Sequence, residues 1–388
     1  MFGTIIKGKM KKKKALIAVN YIGFVHFLWD DIDILKRMGY DVTLVGDNSR
    51  DETDTLKILS NKDVAFIDVR LDGKSPLSKN NLKAFFRYCK ILRKVRFDLI
   101  HCHTPIVGFF MRIAAKGYRK HGTKVIYTTH GLAYTHLSSK KEYLKYHTIE
   151  SLASIFCDAI ITINIEDYNN ICMLHCKKVY HINGVGVDTE KYENIEIDKP
   201  KYREQLGIPN DKIMILSVGE LSVRKNHIVI VDAISMLADK EKYVYAICGR
   251  RMTGSGTEEL IKKTASEKGV DVKFLGFRHD IPQVVHCADI GAIPSIREGL
   301  GLSGIETLSA GVPMVGSDVQ GIREYIINGK TGFLCNPFAP SSFAVAITKL
   351  SDNAFRSSLK ENCVEVVKKF DRKISVTQRE RIYKEILL

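Results

Sequence analysis

The sequence predicts an α/β protein of two domains, each a parallel β-sheet flanked by helices. Three observations lead there. The chain has 388 residues, long for one core and ordinary for two. Short apolar runs alternate with helix-length segments, the pattern of strands that need helical crossovers to run parallel. That rhythm breaks once, over the polar, charged stretch Asn183–Pro209, and then restarts.

In the first half the expected strands are Ala15–Val19, Val42–Val45, Leu99–Cys102, Lys124–Thr128, Ala159–Ile163 and Val179–Ile182. Helical patterns such as Phe24–Met38 and Glu142–Phe156 lie between them. After the break, strands are expected at Lys212–Val218, Val244–Cys248, Val272–Leu275, Ile290–Ile293 and Val312–Gly316. Helices are expected at Asn226–Ala238, Thr257–Lys268 and Ser303–Ala310. Asn353–Leu388 is helical with no strand partner, a tail suited to crossing back onto the first domain. The expected divisions are a disordered basic tail at 1–13, domains at 14–190 and 191–352, and terminal helices at 353–388.

Composition narrows the class. Hydrophobic residues at 45% and charged residues at 27% suit a soluble globular protein. No run reaches the roughly 18–20 apolar residues that span a bilayer. The start MFGTIIKGKMKKKK lacks the apolar core of a secretory signal, and Met10 is an alternative start. Nine cysteines without a CxxC pair favour a reducing, cytoplasmic setting. The net charge of +15 is uneven: residues 1–190 carry 30 Lys and Arg against 19 Asp and Glu, the remainder 29 against 25. A basic half suits nucleic acid, an anionic membrane or a phosphorylated substrate; solubility alone is the plainer alternative.

The chemistry concentrates in Pro294-Ser-Ile-Arg-Glu-Gly-Leu-Gly-Leu-Ser-Gly-Ile-Glu306, which follows a strand and ends inside a helix. Gly299, Gly301 and Gly304 let a ligand approach the backbone, and the helix start near Ser303 turns its positive end toward the loop. Glu298 and Glu306 bracket the glycines, and a carboxylate readily accepts hydrogen bonds from vicinal sugar hydroxyls. A glycine-rich turn with a carboxylate set against the helix dipole is the alternative.

The stretch PSIREGLGLSGIETLSAGVPMVGSDVQGIREYIINGKTGFL, with its Glu-x7-Glu, resembles the signature region of family 4 retaining glycosyltransferases of GT-B fold. Four further segments resemble that family in the expected order. They are the phosphate segment Leu216–His227, the strand end Asp98–Thr104, the turn Thr128–Gly131 and the interdomain segment Ile182–Asp188. The resemblance runs from about Lys14 to Leu350 and looks nearest to capsule and exopolysaccharide members. It implies two Rossmann-like domains facing each other across a cleft. Glu306 would bind the ribose hydroxyls of the nucleotide, and Glu298 the donor sugar. Backbone amides of Gly299, Leu300, Gly301 and Leu302 would contact sugar and diphosphate. Lys225, with Arg224 beside it, would neutralise the departing diphosphate, where charge grows in the transition state; a solvated lysine before an Asn226 helix cap is the alternative. No cofactor and no dedicated metal is expected; the co-substrate is a nucleotide sugar, UDP-linked. The chain departs from the family at Glu220, where a basic residue often follows the glycine, and at Cys248-Gly-Arg-Arg-Met-Thr-Gly254, which replaces a G-x-G-P turn. Arg250 or Arg251 is expected to take over base contacts there.

On the first domain, Gly23 sits at the strand-to-helix turn and resembles the family's first glycine loop, with shaping the turn as its alternative. His130 ends a strand whose carboxyl end faces the crevice, which makes it the catalytic candidate near the reacting centre, with a purely structural histidine as the alternative. His101 and His103 share one strand face and are expected on the acceptor side, with Cys102 pointing away. Cys172 and Cys176 are helix-spaced and expected to be half-buried. Leu82–Arg96 alternates aromatic and basic residues at helical spacing, suited either to an anionic membrane or to a domain helix with a solvated basic face. The expected acceptor is a polyprenyl-diphosphate-linked glycan at the inner membrane face. The rival readings are a nucleotide-sugar epimerase of the same fold and a basic nucleic-acid-binding protein; the carboxylates around the glycine loop, which would repel phosphates, speak against nucleic acid.

Overall fold

The computed structural model describes residues 12–49, 54–72, 78–193, 195–252 and 254–388. Most of the expected basic tail, with Met10, lies outside the described residues. The first sheet has seven parallel strands: β1 (Lys13–Tyr21), β2 (Tyr40–Asp47), β3 (Ala65–Asp68), β4 (Leu99–His103), β5 (Lys124–Thr128), β6 (Ala159–Thr162) and β7 (Val179–His181). Their order is β3-β2-β1-β4-β5-β6-β7. The second has six parallel strands: β8 (Ile213–Val218), β9 (Tyr243–Cys248), β10 (Val272–Gly276), β11 (Ile290–Ile293), β12 (Met314–Ser317) and β13 (Gly332–Cys335). These run in the order β10-β9-β8-β11-β12-β13.

Inner strands are buried from end to end, as β4 and β9 are, because helices cover both sheet faces. Each sheet begins in its middle, at β1 and at β8, and the chain moves outward in both directions. Such a reversal opens a crevice at the carboxyl ends of the strands. The loops after β1, β5, β8 and β11 meet there.

The differences from expectation are local. Two edge strands, β3 and β13, are additional. The strand expected at Val312–Gly316 starts at Met314, because Pro313 has no N–H for the ladder and instead accepts from Gly291 N at 2.9 Å. The segment expected as one helix at Phe24–Met38 divides into a 3-10 turn, Ile22–Phe27, and an α-helix, Trp29–Arg37. Cys172 is exposed and Cys176 lies beyond the end of its helix, so the pair does not form a half-buried stripe.

The last helix, Arg372–Leu387, packs on Trp29–Arg37 of the first domain. Arg379 donates to Asp31 at 2.6 Å and to Asp30 at 3.1 Å, and the Tyr383 hydroxyl donates to Asp31 at 2.9 Å. Arg379 and Asp31 are both buried, and Arg379, shared with Asp30, supplies the charge partner that buried Asp31 needs.

Candidate active site

A cavity of about 620 Å³ lies between the two sheets, in the size range of small-ligand sites. Its floor on the second domain is the loop after β11 and the helix Leu302–Ser309. Gly301 starts that helix at φ +77°, and a Cβ there would meet Ile293, Tyr325 and Glu298 within 2.9 Å. Only glycine fits, and no side chain caps the helix. Gly299, Leu300, Gly301, Leu302 and Ser303 all line the cavity.

The two carboxylates occupy different parts of the cavity wall, as their separation by a helix start requires. Glu298 Oε2 accepts from Lys225 Nζ at 2.7 Å, Arg224 NH1 at 3.1 Å and Ser295 Oγ at 3.2 Å. Burial works to raise this carboxyl, but the two cations outweigh it and hold it below its ordinary value. Glu306 has no such cations. Burial raises its carboxyl, opposed only partly by a hydrogen bond from the Tyr192 hydroxyl and the charge of Lys191.

Lys225 and Arg224 reach the site from a 3-10 turn after β8. Asn226 ends that turn in the left-handed region at φ +54° and is not the N-cap of the next helix, Ile228–Ser235: its Nδ2 donates to Pro294 O at 3.2 Å and to Pro337 O at 2.8 Å. It thereby ties the lysine turn to the glutamate loop. Glu220, at the position where a basic residue was anticipated, pairs with Arg224 at 3.2 Å and steadies that side chain.

Across the cleft, His130, Phe24 and Phe27 line the cavity. The Phe24 ring meets His130 edge-on at 4.8 Å. Burial pushes the His130 imidazole down to about 3, so it is neutral at physiological pH. His103 Nδ1 lies 3.0 Å from His130 Nε2. The expectation that His101 and His103 face an acceptor needs correcting: neither lines the cavity. Their strand, β4, is covered by the returning C-terminal helix, whose Tyr383 hydroxyl lies 2.7 Å from His101 Nδ1. Thr128 Oγ1 holds the other ring nitrogen at 2.8 Å. The two histidines back His130 from behind. Gly23 is likewise absent from the lining; the Tyr21 ring lies over it, and Phe24 takes the place facing the cavity.

A second hollow of about 560 Å³ adjoins β9 and β10, lined among others by Gly249, Arg250, Arg251, Glu258 and Phe277. The Arg250 guanidinium stands over the Phe277 ring at 4.2 Å. Among the described residues no group of three or more His, Cys, Asp or Glu could hold a metal ion. Sequence reasoning overlooked Phe24, Tyr192 and Gln320. Tyr192, four residues beyond the interdomain segment ending at Asp188, was the one with a usable signal, since its spacing places it beside the next domain.

Over residues 15–164 the chain matches the family described as glycosyl transferase 4-like, and over residues 198–370 that described as glycosyl transferases group 1. "Putative glycosyltransferase EpsD" of Bacillus subtilis is 33% identical over 283 residues, covering 71% of this chain and 73% of that one. The UDP-Gal:alpha-D-GlcNAc-diphosphoundecaprenol alpha-1,3-galactosyltransferase of Escherichia coli is 27% identical over 346 residues, 86% of each chain. The solved structure of HepE from Anabaena, in complex with UDP-glucose, superposes with a TM-score of 0.74 at 20% identity, covering 96% of this chain and 99% of that one.

Proposed function

Since the chain belongs to the family 4 glycosyltransferases of GT-B fold, we propose that its cleft moves a sugar from a UDP-linked donor, with retention of configuration, to a hydroxyl of a growing lipid-linked capsule or exopolysaccharide glycan. One observation carries the reading. Two carboxylates in opposite electrostatic settings bracket an uncapped helix start, with two cations beside it. Glu306, which makes no ion pair like those of Glu298, takes the ribose hydroxyls. Glu298 takes hydroxyls of the donor sugar once Lys225 and Arg224 turn to the diphosphate. Those two cations and the helix start then stabilise the leaving nucleotide, so the proposal includes no dedicated metal. His130 supplies a neutral hydrogen-bonding group on the acceptor side. The hollow beside Arg250 and Phe277 suits the nucleotide base.

The relative from Escherichia coli is named for a diphosphoundecaprenol-linked acceptor, which supports a lipid-linked acceptor here. The test is a panel of nucleotide sugars with and without membrane extract. UDP release that depends on extract is expected for one UDP-sugar. Release of a free epimer without extract would overturn the reading in favour of an epimerase.

A lipid acceptor calls for attachment to the inner face of the cell membrane, and the first domain has a surface suited to it. No described helix is long and apolar enough to cross a membrane. On the helix Lys79–Lys94, Leu92 is buried and Phe85 half-buried, but Leu82 is 55% and Phe86 63% exposed. Lys83, Arg87, Lys90, Arg93 and Lys94 are exposed around them. The neighbouring layer contributes Leu144, 67% exposed, with Lys140, Lys141 and Lys145. Each basic residue near an anionic leaflet contributes about 1 kcal/mol, screened by salt. The protein is therefore expected to pellet with anionic vesicles at low salt, release at high salt and ignore neutral vesicles. Unchanged sedimentation after Arg87, Lys90, Arg93 and Lys94 are all replaced by Gln would exclude this surface.

A further inference from the structure

Opposite the cation turn, the two domains touch through a hydrogen-bonded network that none of the roles above uses. Its centre is Gln320, fully buried, in the loop after β12. Its backbone sits at φ +32°, in the left-handed region that a non-glycine residue adopts only when its surroundings demand it. Gln320 Oε1 accepts from the backbone N–H of Glu298 at 3.1 Å. Gln320 Nε2 donates to Asp167 Oδ1 at 3.1 Å and to Leu132 O at 3.3 Å. Its own backbone N–H donates to Glu166 Oε2 at 3.1 Å.

Asp167, also buried, belongs to the first domain, at the start of the helix Ile165–Cys172. Its second oxygen accepts from Leu132 N at 2.9 Å, two residues beyond His130. Its neighbour Asn164 donates from Nδ2 to Gly299 O at 2.8 Å. Arg297 NH1 donates to Ala133 O at 2.9 Å. A Cβ on Gly131 would stand 2.8 Å from Gly299 Cα, so the backbones are already at contact. The Gln320 amide thus has only one workable orientation: its oxygen must face the Glu298 amide and its nitrogen the Asp167 carboxylate.

We infer that Asp167 and Gln320 form a latch across the cleft, which closes the His130–Leu132 turn onto the donor loop and sets the position of Glu298. Both are positioning residues: neither lines the cavity, and each acts through the loop it holds. The latch links the first-domain turn that carries His130 to the carboxylate assigned to the donor sugar. Domain closure and correct placement of Glu298 therefore occur together. A misplacement of Glu298 on the order of 1 Å is enough to slow transfer by about 100-fold. This role rests on the transferase reading for its kinetic consequence, but the closure itself does not.

The test combines turnover with a distance measurement. Gln320→Gly removes the side chain while tolerating the same backbone φ, so it adds no backbone strain; it leaves the Glu298 N–H and the Asp167 carboxylate without this partner, and thermal melting is followed beside turnover so that lost stability is read separately. Its kcat is expected to fall about 10- to 100-fold with donor KM changed less than about threefold. Asp167→Asn keeps the volume but puts an NH2 against either Leu132 N–H or Gln320 NH2, and should behave alike. In the double variant Asp167→Asn with Gln320→Glu, the donor and acceptor exchange places across the same pair, and part of the lost kcat should return. Assays at pH 8 keep Asp167 ionised, since burial raises its carboxyl to about 7. Spin labels on one exposed residue of each domain, read with and without UDP, should give a short, narrow distance in the parent and a longer or broader one in Gln320→Gly. Parent-like distances in both single variants would overturn the latch whatever the kinetics. A shift in distance without any transfer by the parent would uphold the latch and remove the transferase reading instead. A kcat loss that disappears once turnover is corrected for the folded fraction, with no rescue in the double variant, would reduce the pair to a structural contact.

Discussion

Replacing Lys225 by Ala is expected to lower kcat about 100- to 1,000-fold, the effect typical of removing one donor from a developing oxyanion. Lys225 lines the cleft, its Nζ 2.7 Å from Glu298 and its side chain 14% exposed. The Glu298 carboxylate already draws the ammonium to the place where an anionic ligand group would hold it. When the nucleoside diphosphate departs, negative charge grows on its terminal oxygens, and a cation already desolvated beside them costs no reorganisation. Arg224, 37% exposed and shared with Glu220, cannot replace it in full. It does leave Glu298 one cation in the variant, so the loop should hold. Lys225→Arg should recover little, because a planar guanidinium does not occupy the position of a compact ammonium. Steady-state kinetics with the donor identified by the nucleotide-sugar panel checks this, with UDP binding followed by calorimetry. A raised KM at normal kcat would show that Lys225 holds ground state and transition state equally and has no special part in the departure.

Glu306→Ala is expected to weaken UDP binding by about 1–3 kcal/mol, roughly 5- to 150-fold. The side chain is half-buried on the helix Leu302–Ser309 and is held by the hydroxyl of Tyr192, just beyond the interdomain segment. Ala would leave that hydroxyl and the bound ribose hydroxyls without their acceptor. The specific signature is discrimination: the parent should prefer UDP over 2′-deoxy-UDP, and Glu306→Ala should not. Tyr192→Phe, which keeps the carboxylate but loosens it, should fall between the two. Calorimetric titration with both nucleotides decides the matter. A variant that is folded and still discriminates as the parent does would move the ribose elsewhere in the cleft.

Glu298 and Glu306 illustrate how equal sequence signals acquire different chemistry. Both stand beside glycines in one motif, and nothing in their spacing distinguishes them. The difference comes from Lys225 and Arg224, more than 70 residues before Glu298, and from Tyr192, more than 100 residues before Glu306. The histidines show the same limit. Alternation along β4 places His101 and His103 on one face, as the sequence indicates. Which face becomes the cleft depends on Tyr383, 282 residues away from His101.

By itself the sequence determined the two-sheet architecture, because buried parallel strands read as continuous apolar runs and helices as periodic ones. It also determined the glycine loop and its two carboxylates, because a close backbone approach at Gly301 admits no side chain. The tertiary structure alone decided the edge strands β3 and β13, which are short and exist through pairing with β2 and β12. It alone decided that the C-terminal helix covers the histidines, and that Gln320, at a strained φ, bridges Asp167 and Glu298. The physical reason is common to these cases. Local pattern encodes which face of an element is apolar, while hydrogen-bond partners and charge partners far apart in the chain meet only when the two domains close on each other.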